Sequence, residues 1–112
     1  MHQIIDANGN LVGDLPALDD KELVELYRLM ALARTLDRKL VALQRQGRIG
    51  TFPPLEGQEA TQIGSAFALA EHDWVYPSYR EHGVQIARGM PLDVIMSFWR
   101  GLPNENWDVR KF

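Results

Sequence analysis

The sequence contains no cysteine, which excludes disulfides, thiolate nucleophiles and cysteine-based metal sites. It has no surplus of positive charge, because 12 lysines and arginines face 15 acidic residues and the formal net charge is −3. Nucleic acids and anionic membranes attract basic surfaces, so neither is an expected partner. A bilayer-spanning apolar run and an N-terminal secretory signal are also missing, so we expect a cytoplasmic location.

What remains is the composition of an ordinary folded chain, with 46% hydrophobic and 24% charged residues in a length of 112. This length allows one small domain at most. We divide it into an N-terminal arm, residues 1–18, and a helical part, residues 19–112.

Asn8-Gly9 lies between two short apolar pairs in the arm and predicts a tight hairpin turn. Asp6, Asn8 and Asn10 have the spacing that opens a calcium-binding loop. Gly9 is misplaced for such a loop, however, and Ala17 stands where the bidentate glutamate belongs. We therefore predict a turn and no metal site.

Apolar periodicity, caps and breakers predict four helices. They run from Asp19 or Asp20 to just before Gly47, from about Gly57 to Glu71, from within "REHGVQIARG" to Gly89, and from Pro91, in the first turn, to Gly101. The fold class is therefore mostly α, with four helices and an N-terminal hairpin or arm. Helices with apolar stripes must bury them against another layer, so this stretch is typical of the helical edge of something larger.

Two features of these helices lead to specific predictions. Arg34, Asp37, Arg38 and Lys39 form a charge run on the first helix, which is typical of a solvated face. Gly64 interrupts the second helix, where it costs about 1 kcal/mol relative to alanine. We expect a neighbouring helix to pack closely against Gly64.

The connection "DWVYPSYREHGVQIARG", residues 73–89, concentrates chemistry-bearing side chains. Arg80 offers a planar fork that matches phosphate oxygens, and Tyr79 adds a hydroxyl. The N–H groups of the following helix add partial positive charge. His82 can donate a hydrogen bond or titrate near neutrality. The alternatives are structural: Arg80 pairs with Glu71, Asp73 or Glu81, Tyr79 fills a core edge, and His82 is a surface or satisfied core residue.

The order "RIGTFPPLEGQEATQIGSAFAL" then "DWVYPSYREHGVQIARGMPLDVIMSFWRG" resembles the N-terminal part of the α subunit of thiamine-diphosphate-dependent 2-oxoacid dehydrogenases, the E1 component. The most specific pieces are "EGQEA", residues 56–60, and "YREHG", residues 79–83. The opening arm and the tail "NENWDVRKF" are more similar to branched-chain or actinobacterial-type α subunits than to the mammalian pyruvate type.

The resemblance implies the N-terminal part of an α/β thiamine-diphosphate-binding fold in a heterotetrameric enzyme. Such an enzyme oxidatively decarboxylates a small 2-oxoacid and passes the acyl group to the lipoyl arm of an E2 component. Tyr79 and Arg80 would contact the cofactor diphosphate, with His82 beside them, and Phe52 would lie near the active-site channel. Pro53 stands where relatives can have a histidine near the substrate, so substrate preference is not carried over.

The resemblance also implies what this stretch lacks. The Mg²⁺ ligands belong to a later "GDG…N" motif that is absent here, so we expect a piece of a longer chain. The proton-transfer glutamate would come from the E1 β subunit, so no catalytic residue is expected in this chain. We assign Gln58 and Glu59 to helix capping and to an interface.

Two other functions remain open from the residues alone. One is a non-catalytic helical protein-interaction module that docks through the Ala/Gly/Ser face of the second helix. The other is a nucleic-acid binder using Arg80, Arg88 and Arg100, which the acidic net charge disfavours.

Overall fold

The computed structural model describes residues 3–103, and its longest element is helix α1, Asp20–Arg45. A capping box begins it: the Asp19 carboxylate accepts the Glu22 N–H, and the Glu22 carboxylate accepts the Asp19 N–H, each at 2.8 Å. Gly47 ends it with φ +69°, a conformation that favours glycine. The predicted bounds of this helix are confirmed.

Three shorter helices follow within residues 46–103, which confirms the prediction of a mostly helical chain. They are α2 (Glu59–Phe67), α3 (His82–Ala87) and α4 (Leu92–Trp99). Helices α1, α2 and α3 pack against one another. Within residues 3–103, no helix combines the length and the apolar character needed to cross a membrane.

The second helix is shorter than the predicted span of Gly57 to Glu71, which was wrong at both ends. Gly57 has φ +97°, so it lies in the turn before the helix. At the other end the Arg88 guanidinium donates to the carbonyls of Ala70, Glu71 and Asp73. This tertiary contact holds the chain in a turn, and helical periodicity does not reveal it.

Helix α4 also begins one residue later than predicted. Pro91 is its N-cap, with φ −60° and ψ 141°, rather than a residue of the first turn. Gly101 follows the helix with φ +65°, as its predicted role as terminator requires.

The N-terminal arm forms the predicted turn. Ile5 and Leu11 make an antiparallel bridge, and Gly9 adopts φ +85° between them. The Asp6 carboxylate accepts the N–H groups of Asn8 and Asn10, both at 2.8 Å. The side-chain amide of Asn10 also donates to this carboxylate, at 3.0 Å, and it lowers the pKa of Asp6 more than the backbone hydrogen bonds do. Asp6, the first residue of the spacing that resembles a calcium-binding loop, therefore stabilises the turn itself.

The hydrophobic core joins the C-terminal half of α1 to α3, α4 and the loop after α1. Its buried members are Ala33, Leu36, Leu40, Leu43, Ile49, Phe52, Leu55, Ile86, Met90, Val94 and Ile95. The first two turns of α1 lie outside this core, since Leu23 and Tyr27 are 46% and 70% exposed.

The glycine that packs most closely in a helix is Gly83, not Gly64. A Cβ added at Gly64 would have no heavy atom within 4 Å, so the predicted close contact there is wrong for the described chain. A Cβ at Gly83 would lie 2.7 Å from the Gln62 Oε1 atom. Helices α2 and α3 therefore approach closely, but the bare backbone belongs to α3.

Leu40→Ala tests the core at its most enclosed point. Leu40 is fully buried, so we expect the free energy of unfolding to fall by about 2–5 kcal/mol through lost apolar contacts and a residual cavity. Val24→Ala, on the exposed part of the same helix, should change it by less than about 0.5 kcal/mol. Urea denaturation of the native polypeptide measures both, and equal effects would contradict this core.

Candidate functional site

Three of the predicted site residues lie where the α2–α3 connection enters α3. Tyr79 and Arg80 precede the helix, and His82 is its first residue. The start of the connection is held by Arg88 through the carbonyls described above. Its end is held by the Gln62 side chain, which accepts the Gly83 N–H at 2.9 Å. That N–H, which we expected to be available to an anion, is therefore already bonded.

Arg80 is not tied to any of the carboxylates that the sequence offered. Its Nη1 donates to the Pro54 carbonyl, and its Cζ lies 5.5 Å from the centre of the Tyr79 ring. It forms no ion pair with any residue between 3 and 103. Tyr79 is 67% exposed and does not fill a core edge. The pair thus presents a permanent positive charge and a phenol near the surface.

His82 is a buried residue beside a buried carboxylate. His82 and Asp37 are 2% and 1% exposed, and the His82 Nε2 lies 3.4 Å from the Asp37 Oδ1. Burial lowers the pKa of His82, and the hydrogen bond to Asp37 opposes this only in part. A neutral ring can donate to the Asp37 carboxylate only from a protonated Nε2. Its Nδ1 is buried without a hydrogen-bond partner in the described chain.

Phe52 packs directly against the His82 ring. The two ring centres are 5.1 Å apart, and the Trp99 ring meets Phe52 edge-on at 5.0 Å. Phe52 is 2% exposed and belongs to the hydrophobic core. The four predicted site residues therefore lie close together. Phe52 and His82 are buried, and Tyr79 and Arg80 lie nearer the surface.

A cavity of about 330 Å³ opens at this place. Tyr79 and His82 line it together with Pro77, Ser78, Gln85, Phe98 and Trp99. A larger groove of about 670 Å³ runs along α1 and the loop after it, bordered by Arg38, Arg45 and Glu56. We consider the smaller cavity the candidate site, because predicted site residues Tyr79 and His82 line it together with the aromatic rings of Phe98 and Trp99.

Asp37 was wrongly predicted to belong to a solvated face. Its Oδ1 accepts the Leu55 N–H at 2.7 Å, and its Oδ2 accepts the Glu56 N–H at 3.3 Å. The carboxylate therefore joins α1, the loop before α2, and His82. The misleading signal was the charge of its neighbours. The better signal was its register, since residues 33, 36, 37 and 40 lie on one buried helix face.

Two arginines of α1 form ion pairs with the "EGQEA" segment. The Arg34 guanidinium binds the Glu59 carboxylate through Nε and Nη2, and Arg38 binds Glu56. Glu59 also accepts the Gly57 N–H at 3.0 Å, which confirms its role at the helix start. The side chain of Gln58, the N-cap residue, makes no such capping bond. An interface role for either residue stays a prediction.

The geometry suits an anionic ligand at the rim and a polar group inside. Arg80 and Tyr79 can donate hydrogen bonds to phosphate oxygens. A neutral His82 that donates from Nε2 to Asp37 can accept a hydrogen bond at Nδ1, and it would have to take up a proton to donate from that atom. Residues 3–103 contain no group of three His, Asp or Glu side chains that could hold a metal ion.

Comparison with known proteins identifies a family. The family model described as the dehydrogenase E1 component matches residues 27–112. The pyruvate dehydrogenase E1 component subunit alpha of Staphylococcus aureus (strain Mu50) is 44% identical over 103 residues. Its counterpart in Staphylococcus epidermidis (strain ATCC 12228) is 43% identical over the same length. Each match covers 90% of this chain but only 28% of the relative.

Glu59→Gln tests the connection between α1 and α2. The Arg34 hydrogen bonds lower the pKa of Glu59 to about 2 in the folded chain, from 4.5. A lowered pKa stabilises the fold above pH 4.5, and this stabilisation disappears as the pH falls towards 2. At pH 7 we expect the variant to lose about 1–2 kcal/mol of unfolding free energy, since Arg34 is partly exposed.

Denaturant titrations between pH 2 and pH 7 measure the difference between wild type and variant. It should shrink steadily below pH 4.5. Glu25→Gln, which removes a carboxylate paired with Arg28 on the solvent-exposed side of α1, is the matched control and should change little. A difference for Glu59→Gln that is independent of pH would contradict the role of the ionised carboxylate.

Proposed function

The chain belongs to the dehydrogenase E1 component family, and we propose that it forms the N-terminal part of the α subunit of a thiamine-diphosphate-dependent 2-oxoacid dehydrogenase. The chain spans about 28% of the length of the curated relatives it matches, so activity, substrate and partners belong to this proposal. Pyruvate is the favoured substrate, because it is named in those relatives. The branched-chain alternative depended partly on the tail, residues 104–112, which lies outside the described residues.

One observation carries the proposal. Arg80 lies beside Tyr79, which lines the cavity, uses one Nη1 hydrogen bond for the Pro54 carbonyl, and has no carboxylate partner in the described chain. An arginine that is anchored through one nitrogen keeps its other N–H groups for a ligand, and its charge favours phosphate. This is the arrangement that a diphosphate group needs.

Within the proposal, the residues of this chain bind and orient the cofactor. Arg80 and Tyr79 hold the diphosphate, and the buried Phe52 and His82 form the wall behind them. His82 Nδ1 is an acceptor for a donor group of the cofactor or the substrate. When bound, thiamine diphosphate supplies the electron sink for decarboxylation of the 2-oxoacid. None of these residues is assigned a catalytic proton transfer.

The remaining components are supplied from outside this chain. We propose that the Mg²⁺ ligands lie in a later part of the polypeptide. An E1 β subunit would complete the active site, and a lipoyl-bearing E2 component would receive the acyl group. The cytoplasmic location expected from the sequence stays a prediction.

A non-catalytic interaction module is the second candidate. Its support is the exposed apolar surface of α1, where Leu23, Val24 and Tyr27 are 46%, 67% and 70% exposed. Such a surface favours a protein partner. An α subunit also needs partner surfaces, so cofactor binding is the property that separates the two candidates.

Arg80→Ala in the complete native polypeptide, assembled with its β subunit, tests the proposed function. We expect the dissociation constant for thiamine diphosphate, measured with Mg²⁺ present, to rise at least tenfold. The reason is that a hydrogen bond to a charged group contributes about 1.5–3 kcal/mol. Arg28→Ala, whose guanidinium contacts only Glu25 on α1 in the described chain, is the control and should leave binding unchanged. Calorimetric titration measures both.

An unchanged dissociation constant for Arg80→Ala would remove Arg80 from the site. A wild type that does not bind thiamine diphosphate would favour the interaction module.

A further inference from the structure

The side chain of Gln62 on α2 makes bonds to both ends of a short backbone stretch. Its Oε1 accepts the Gly83 N–H at 2.9 Å, and its Nε2 donates to the Arg80 carbonyl at 3.3 Å. Gln62 is 5% exposed, so these bonds are shielded from water. One amide thus spans the segment 80–83, which carries the Arg80 and His82 side chains.

Both the Oε1 acceptor and the Nε2 donor of the Gln62 amide are needed to make these two backbone bonds. Only a side-chain amide offers an acceptor and a donor in this fixed geometry. A carboxylate at the same position would keep the bond to the Gly83 N–H, but it would turn a second acceptor towards the Arg80 carbonyl. A methionine would lose both bonds and leave two backbone groups without partners.

Gly83 explains why the amide can come so close. A Cβ at this position would lie 2.7 Å from the Gln62 Oε1 and 3.1 Å from the Gln62 Cβ. Any residue other than glycine would therefore push the two helices apart or displace the amide. Gln62 and Gly83 form a matched pair across the α2–α3 contact.

From this geometry we propose that Gln62 is a positioning residue: it holds the backbone of residues 80–83 so that Arg80 faces the diphosphate of the cofactor. This inference rests on the proposed function. Gln62 touches no ligand itself and acts through Arg80. Its Nε2 also approaches the Gln58 Oε1 at 3.2 Å, which keeps the amide in the orientation that both backbone bonds require.

Gln62→Glu is the sharpest test, because it changes one donor group and keeps the size of the side chain. The complete native polypeptide, assembled with its β subunit, is measured in two ways. We call the two Gln62 bonds to the backbone of residues 80–83 the clamp. Amide hydrogen exchange of peptides covering residues 79–84 reports whether the clamp exists. Calorimetric titration with thiamine diphosphate and Mg²⁺ reports whether the clamp serves binding. Gln62→Met removes both bonds and provides a second variant with a similar side-chain length.

We expect faster exchange in residues 79–84 in both variants and an unchanged exchange rate in the core of α1. The dissociation constant should rise about five- to tenfold for Gln62→Glu, which loses the Nε2 bonds to the Arg80 carbonyl and to Gln58, and further for Gln62→Met. Gln46→Met at the exposed C-terminal end of α1 is the matched control and should change neither quantity.

The outcomes separate this inference from the proposed function. Unchanged exchange in residues 79–84 would overturn the clamp. Faster exchange with unchanged cofactor affinity would overturn its positioning role, while the effect of Arg80→Ala would still support the proposed function. A wild type that binds no thiamine diphosphate would overturn both, even if the exchange of residues 79–84 depends on Gln62.

Discussion

The buried carboxylate of Asp37 is the constraint on which the rest of the site depends. It accepts two backbone N–H groups, from Leu55 and Glu56, and faces the His82 ring at 3.4 Å. A buried carboxylate is tolerated only when its oxygens have such partners. The same atoms therefore satisfy Asp37 and fix the distance between α1, the loop before α2, and the start of α3. The candidate cavity depends on this distance through His82, because His82 lines it together with residues of the α2–α3 connection and of α4.

Around Asp37, polar contacts determine how the loops and helix ends are oriented, while apolar contacts supply most of the stability. Core residues such as Leu40 bury large apolar surfaces without specifying which way a loop faces. The Arg34–Glu59 pair and the Gln62 amide are directional, and both act on segments next to the candidate site. Phe52 belongs to both groups, since it is a core residue whose ring also contacts His82.

Features of the fold and the site could be predicted from the sequence when nearby residues cause them, but not when a tertiary contact does. The α1 bounds followed from a capping box and a glycine terminator, which are encoded within a few residues of each helix end. The end of α2 was wrong because Arg88, distant in sequence, holds the following turn. Asp37 and Gln62 were missed because their partners become neighbours only in the folded chain. That Tyr79 and Arg80 bind a diphosphate stays a prediction, since it depends on a ligand as well as on the fold.

The most direct test of the central claim is a structure of the complete assembly with thiamine diphosphate and Mg²⁺ bound. We expect hydrogen bonds of about 2.7–3.2 Å from the Arg80 guanidinium and the Tyr79 hydroxyl to diphosphate oxygens. Asp37 should keep its bonds to the Leu55 and Glu56 N–H groups. A cofactor bound elsewhere, with Arg80 and Tyr79 both out of contact with its diphosphate, would contradict the proposed site.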